Sequence, residues 1–255
     1  MNPELRSTIA KKYLRGTGIE FGALHNPLPH DYKQCTVTYA DRLTRNKALK
    51  KFPELHSITE KIVEPRFLID FNRDDFSSLS SEEFDFYIAN HLIEHLVNPI
   101  RFLQRISRIM KPGALLYLAV PDKNHTFDVN RVLTTREHLW QDFIDDVEKI
   151  SIEHLNDYIL NKTKAHIDSA RRAWMYFEND KLPWNPLKRH KVYALHRERS
   201  IHVHVWSYMS FDAFLSWIIS KINLDLDVIE QHDSVEGCGE MIYILRKRIG
   251  RTLTK

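Results

Sequence analysis

The segment His91-Leu92-Ile93-Glu94-His95 sets two imidazoles around a carboxylate within five residues. An imidazole titrates near neutrality and can take a proton from a reacting group. His95 is therefore the candidate general base, His91 the alternate, and Glu94 the group that orients either ring. The plainer reading is that His95 packs in the structure and holds its loop by a backbone hydrogen bond. HxxEH also matches the inverted zinc-protease motif, in which two histidines one helical turn apart bind zinc. That reading is disfavoured, because the segment directly follows a β-like run. Asp122, in Val120-Pro121-Asp122-Lys123, either positions an acceptor or makes a turn. His202 and His204 alternate in SIHVHVW and should share one face of an extended segment. A metal pair there would need carboxylates that the neighbouring sequence does not supply, so a metal is not favoured. His204 alone is a candidate for the acceptor pocket.

These residues need a frame. Short β-like runs alternate with helical stretches over residues 16–120. Runs at 18–21, 36–40, 84–89 and 114–120 read as strands, and 62–64 and 67–69 compete for another. Residues 114–120 (ALLYLAV) are unbroken and apolar, as in a strand covered on both faces. Asn98 caps the helix between the last two strands, Pro99 starts it, and Lys111-Pro112-Gly113 stops it. Alternating strands and helices predict a parallel α/β sheet. Residues 123–200 break the rhythm and read as a helical insertion over the sheet's carboxyl edge. Regular patterning resumes with a helix over 210–221, capped by Ser210. Strands near 224–230 and 241–246 follow as an antiparallel closing pair.

In such a sheet, ligands bind outside the carboxyl ends of the strands at the topological switch point. The loop after the first strand is Gly18-Ile19-Glu20-Phe21-Gly22-Ala23-Leu24. Gly22 lets the backbone pass close to a ligand. Asp41 ends the next strand, where a carboxylate can accept two hydrogen bonds from a ribose diol. His25, Asn26 and Pro27 stand where a dinucleotide fold needs glycine and a helix start to hold a pyrophosphate. The departure favours S-adenosylmethionine (SAM), which has no phosphate, over NAD.

GIEFGALHNPL, YADRL, FDFYIANHLIEHLVNP, MKPGALLYLAVPDK and TFDVNRVLTTREHL resemble a class I SAM-dependent methyltransferase. More narrowly they resemble the bacterial type found with glycosyltransferases in surface-polysaccharide gene clusters. The likeness covers residues 16–140, and more weakly 200–246. It implies a Rossmann-like sheet, mostly parallel with an antiparallel closing strand. The SAM-binding domain would take residues 1–122 and 201–248, with 123–200 as a lid carrying the acceptor site. Carried over by position, Glu20, Gly22 and Ala23 form the cofactor loop, Asp41 binds ribose, and Asn90 and His91, after the fourth strand, also bind the cofactor. Asp75 would meet the adenine amine, with Asp70 and Asp74 competing. Arg131, Thr135 and His138 fall in the shared stretch, and Arg131, His138 and His204 are the acceptor-binding candidates. Trp174, Trp184, Arg189 and His190 are further ones. The implied reaction is O-methylation of a sugar hydroxyl on a surface glycan or its precursor, giving S-adenosylhomocysteine (SAH). A divalent metal, which some sugar methyltransferases use, is not favoured. Glycosyltransferases are the implied associates.

Composition narrows the rest. The chain has 255 residues, 43% hydrophobic content, net charge +3 and two cysteines. Nothing resembles the basic stripe of a nucleic-acid binder. No stretch approaches the ~18–20 apolar residues of a membrane span. The first 16 residues lack a signal-peptide core and read as an amphipathic helix. Cys35 and Cys238 suggest no disulfide framework, so a reducing cytoplasm is expected. Rival readings are methylation of a small metabolite or lipid-linked acceptor, and a non-catalytic module that kept the fold. A nucleic-acid methyltransferase would show an Asn/Asp-Pro-Pro-aromatic loop or a catalytic cysteine after the fourth strand; IANHL has neither.

Overall fold

The computed structural model describes residues 3–161, 185–234 and 239–250. Seven strands form one sheet in the order β3-β2-β1-β4-β5-β7-β6. They are β1 (Gly16–Phe21), β2 (Cys35–Asp41), β3 (Phe67–Leu68), β4 (Phe86–Asn90), β5 (Leu115–Pro121), β6 (Leu226–His232) and β7 (Glu240–Lys247). β1 to β5 pair in parallel, and β7 runs antiparallel between β5 and β6. This is the Rossmann-like arrangement expected, with the antiparallel strand placed inside the edge. Of the two competing runs, 67–69 supplies the third strand.

Both faces of the sheet are covered, which is why its central strands are mostly apolar, with Glu20, Asn90 and Glu240 as buried polar exceptions. One face packs Phe86, Ile88, Tyr117, Ala119, Ile242 and Ile244 against the N-terminal helix α1 (Pro3–Tyr13). On the other face, the alternate residues Tyr87, Ala89, Leu116, Leu118, Tyr243 and Leu245 join a larger core. That core includes Ile100, Leu103 and Ile106 of α3 (Pro99–Ile109) and Phe211, Phe214 and Ile218 of α7 (Tyr208–Lys221). Asn98 caps α3 by accepting from the Arg101 amide, as its sequence predicts. α7 begins earlier than expected: Ser207 is its cap and Ser210 sits at the third helical position, completing a reciprocal capping box.

Two connections matter for the site. Between β1 and β2 there is no helix, only a loop over residues 22–34. β2 leads to α2 (Arg45–Lys51), capped by Thr44, and a 3-10 stretch over Pro53–Lys61. After β5, the described part of residues 123–200 is mostly helical, joined by turns and loops. It comprises α4 (Arg136–Ile144), α5 (Ile152–Asn161) and α6 (Pro186–Arg199). Trp174, Trp184, Gly237 and Cys238 lie outside the described residues. Among the described residues, no helix is long and apolar enough to cross a membrane.

Candidate active site

A cleft of about 610 Å³ opens at the carboxyl ends of the parallel strands. Gly22 and Leu24 line it after β1, Asp41 to Leu43 after β2, Asp70 to Arg73 after β3, and His91, Leu92 and His95 to Val97 after β4. Residues 148–150, Arg197, Arg199 and Ser200 close its other side. The insertion and the SAM-type loop therefore border the same space.

The β1 loop is shaped from beneath by Glu20. This side chain is fully buried, and both its oxygens accept from the Leu28 amide, at 2.9 and 3.1 Å. Burial outweighs that hydrogen bond and the charge of Arg6, pushing its pKa up to about 8. Glu20 anchors the loop and lies outside the cleft lining. Gly22 sits at φ +68, and a Cβ there would stand 3.1 Å from Leu92 Cδ1 and 3.9 Å from the Phe71 ring. The position thus keeps open the wall a ligand must approach. Ala23 is buried between Gly22 and Leu24. Asp41 faces the cleft from the end of β2, with its pKa raised by burial. A backbone that needs glycine, opposite a carboxylate placed for a diol, fits the ribose half of SAM. For the third-strand acid, β3 ends at Leu68, so Asp70 and Asn72 reach the cleft. Asp75 lies beyond it, and its Oδ1 accepts from the Ser77 amide at 2.9 Å.

The histidine segment is not an α-helix. His91 has φ +50, and only Ile93–His95 forms a 3-10 turn, so the two rings do not share a helical face as a zinc-protease pair would. Their environments differ sharply. His91 Nε2 lies 2.9 Å from Glu240 Oε2, and Nδ1 lies 3.5 Å from Glu94 Oε1. Arg6 of α1 donates to the same Glu240 carboxylate, with Nε 2.8 Å from Oε1. Burial opposes charge on His91, yet the hydrogen bond to Glu240 and the negative charges of both glutamates prevail, and its pKa rises to about 9. With its pKa raised in this way, His91 is held as an imidazolium at neutral pH, with no free ring lone pair to take a proton. His95 is the opposite case. Burial, reinforced by His202 and opposed mainly by Glu94, lowers its pKa to about 4. Its Nδ1 donates to the Ile201 carbonyl at 2.8 Å, which leaves Nε2 as the bare nitrogen. Glu94 is buried between the rings; its Oε1 lies 3.8 Å from His95 Nε2, and neither oxygen has a hydrogen-bond partner among the described residues. Burial raises its pKa, but the neighbouring imidazoles hold it below the ordinary value.

The other sequence candidates lie outside the cleft lining. Asp122 is buried and accepts from the Asn124 amide and from Ser234 Oγ, so it ties a turn. Asn90 ends β4 buried, with Oδ1 unpartnered among the described residues. Arg131 is 2% exposed and fully engaged. It donates to Asp128 and Asp157 and to the carbonyls of His202 and Val203, holding the 202–203 segment. Thr135 caps α4. Arg189 and His190 are exposed on α6. His138 and His204 meet each other and His154 instead. His202 and His204 part company at a bend, with His202 Nδ1 2.6 Å from Asp128 Oδ2. Sequence reasoning missed Glu240 and Arg6. The signal was there, since Glu240 heads the apolar run MIYIL, where an unpaired carboxylate would be costly.

The chain belongs to the methyltransferase-domain family, whose sequence profile matches residues 10–208, and the fold and cleft suit a class I SAM-dependent methyltransferase. No curated protein matches the sequence. Three solved structures show what the fold is similar to. The CurJ carbon methyltransferase shares 14% identity at TM-score 0.47, over 98% of this chain and 54% of that one, so this chain spans about half the CurJ protein's length. A putative zinc-dependent alcohol dehydrogenase from Rhodobacter sphaeroides shares 11% identity at TM-score 0.54, covering 96% and 90%. The plantazolicin methyltransferase BpumL, solved with SAH, shares 10% identity at TM-score 0.49, covering 97% and 82%.

Proposed function

We propose that this enzyme is a SAM-dependent O-methyltransferase acting on a sugar hydroxyl of a bacterial surface glycan or its precursor. The observation that carries the reading is His95, a neutral ring in the cofactor cleft whose Nδ1 is committed to Ile201 and whose Nε2 is bare. Bound SAM supplies an electrophilic methyl group on a sulfonium and departs as SAH. Gly22 and Asp41 hold the cofactor, and residues 148–150 and 197–200 hold the acceptor over it. With SAM bound to supply the methyl group, the acceptor hydroxyl would give its proton to His95 Nε2. Glu94 stabilises the imidazolium that forms. Arg42, Arg73, Lys149, Arg197 and Arg199 outnumber Asp41, Asp70 and Glu148 around the cleft. That balance supports an acceptor with a carboxylate or phosphate, such as an acidic or nucleotide-linked sugar.

The test is SAH release and product mass across nucleotide sugars, lipid-linked saccharides and surface glycans, with the methyl position fixed by NMR. His95→Ala should lower turnover by ~10²–10⁴-fold and leave SAM affinity nearly unchanged. Methylation confined to nitrogen or carbon acceptors would sink the reading. So would full turnover by a folded His95→Ala enzyme. The same reading puts the protein in the cytoplasm beside glycosyltransferases, which co-purification from a native host checks.

A further inference from the structure

A second histidine cluster lies outside the cleft. His138 and Asp142 stand one turn apart on α4, His154 is on α5, and His204 is in the segment leading to α7. One ring nitrogen from each histidine lies within 4.8 Å of the other two, and the ring centroids are 5.0 to 5.7 Å apart. We propose that His138, His154 and His204, with the Asp142 carboxylate, bind a divalent transition-metal ion of the zinc type.

The strongest support is an atom with nothing to do. His204 is 1% exposed, its Nε2 donates to the Val97 carbonyl at 3.1 Å, and its Nδ1 has no hydrogen-bond partner among the described residues. A lone pair buried in that way is the donor a metal needs. Asp142 Oδ2 is likewise buried without a hydrogen-bond partner, and it lies 3.3 Å from His138 Nε2. His138 Nε2 and His154 Nε2 face each other at 2.8 Å. The groups that orient metal-binding imidazoles are also present: the Val97 carbonyl on His204, and Ser151 Oγ, 3.3 Å from His154 Nδ1. Tetrahedral ligands at ~2.0–2.1 Å from zinc stand roughly 3.3 Å apart, so small side-chain shifts complete the site. The His138 side chain is 43% exposed and gives the ion a way in. Three imidazoles and one carboxylate suit zinc or cobalt better than magnesium or calcium.

The ion would do structural work at the catalytic loop. His204 and Val203 both donate backbone amides to the Glu94 carbonyl, and Ile201 accepts from His95. A metal on His204 therefore clamps α4 and α5 to the segment that holds His95.

The probes are zinc and cobalt chloride added to the full chain after chelator treatment and dialysis. One equivalent should bind, the melting temperature should rise, and cobalt should give the intense visible bands of a tetrahedral site. His138→Ala should abolish the bands and lower zinc affinity by at least tenfold while SAM still binds. His154→Gln should do the same; if it fails to fold, His138→Ala decides alone. Absence of stoichiometric binding by wild-type protein that still binds SAM overturns the proposal. Undiminished binding by folded His138→Ala overturns it too.

Discussion

At the scale of single residues, the two histidines of one motif are set in opposite protonation states by what the fold places beside them. With His95 near 4, it is already a free base throughout the neutral range. The acid limb of kcat/KM should then lie near pH 4, well below histidine's ordinary ~6.5, and should vanish in His95→Ala. A limb at the ordinary value that survives the substitution would move the base elsewhere. His91 is a charge partner: His91→Gln keeps a donor for Glu240 but removes the positive charge between two buried carboxylates. Weakening a doubly charged hydrogen bond to one with a neutral donor should cost roughly 1 kcal/mol, readable by urea denaturation. Asp41→Ala should weaken SAM binding by about 10–100-fold, the worth of charge-assisted bonds to a diol. Calorimetry on the folded variant checks this, and unchanged affinity would remove Asp41 from the site.

At the scale of elements, the β1 loop behaves as a unit. Its backbone is pinned at Leu28 by Glu20 and turned at Gly22. Glu20→Gln keeps an oxygen acceptor for the Leu28 amide and suits a position where burial already favours the neutral acid. It should fold normally and bind SAM almost as well as wild type. Glu20→Ala leaves the amide unanswered and should loosen the loop, with faster hydrogen exchange over residues 22–28 and weaker SAM binding. If Gln proves as damaging as Ala, the negative charge itself is what the site needs. The segments bordering the far side of the cleft are joined to each other and to the sheet side: Arg197 Nε donates to the Ile150 carbonyl, Arg42 to the Glu198 carbonyl, and Arg199 pairs with Glu54. An acceptor seated there should slow exchange at 148–150 and 197–200 together.

For the whole molecule, these shifts fix how stability depends on pH. Glu20 and His91 have folded pKa values above their unfolded ones, about 8 against 4.5 and about 9 against 6.5. Glu20 contributes in full below 4.5 and His91 below 6.5, and each contribution is lost as pH rises through the folded value. His95 is depressed from 6.5 to about 4 and Glu240 from 4.5 to about 2. Their contributions are present above the unfolded values and are lost as pH falls through the folded ones. Between pH 4.5 and 6.5 the Glu20 loss and the His95 gain offset each other, so stability in denaturant should be highest there and fall on both sides. Glu20→Gln should remove the loss spread over pH 4.5 to 8, and His91→Gln the loss spread over 6.5 to 9. An alkaline limb unchanged in both variants would mean that neither group governs it.

The chain's local pattern was enough for the alternation of strands and helices, the Asn98 cap of α3, and the placing of Gly22 and Asp41 on one cleft. Each is a matter of periodicity or short spacing, which sequence records directly. The first two carboxyl-edge loops follow from the parallel sheet, so a ligand cleft was legible there. The company each histidine keeps was not. His95 meets Ile201 across 106 residues, His91 meets Glu240 across 149, and Arg6 meets Glu240 across 234. Arg131 looked like an acceptor ligand because a lone arginine in a polar stretch carries no mark of burial. The fold instead spends it on Asp128, Asp157 and two carbonyls. His202 and His204 read as partners on one extended face, until a bend sends one ring to His95 and the other to His138 and His154. Protonation state, burial and cluster membership depend on contacts between distant segments, and those exist only once the sheet and its insertion have closed on each other.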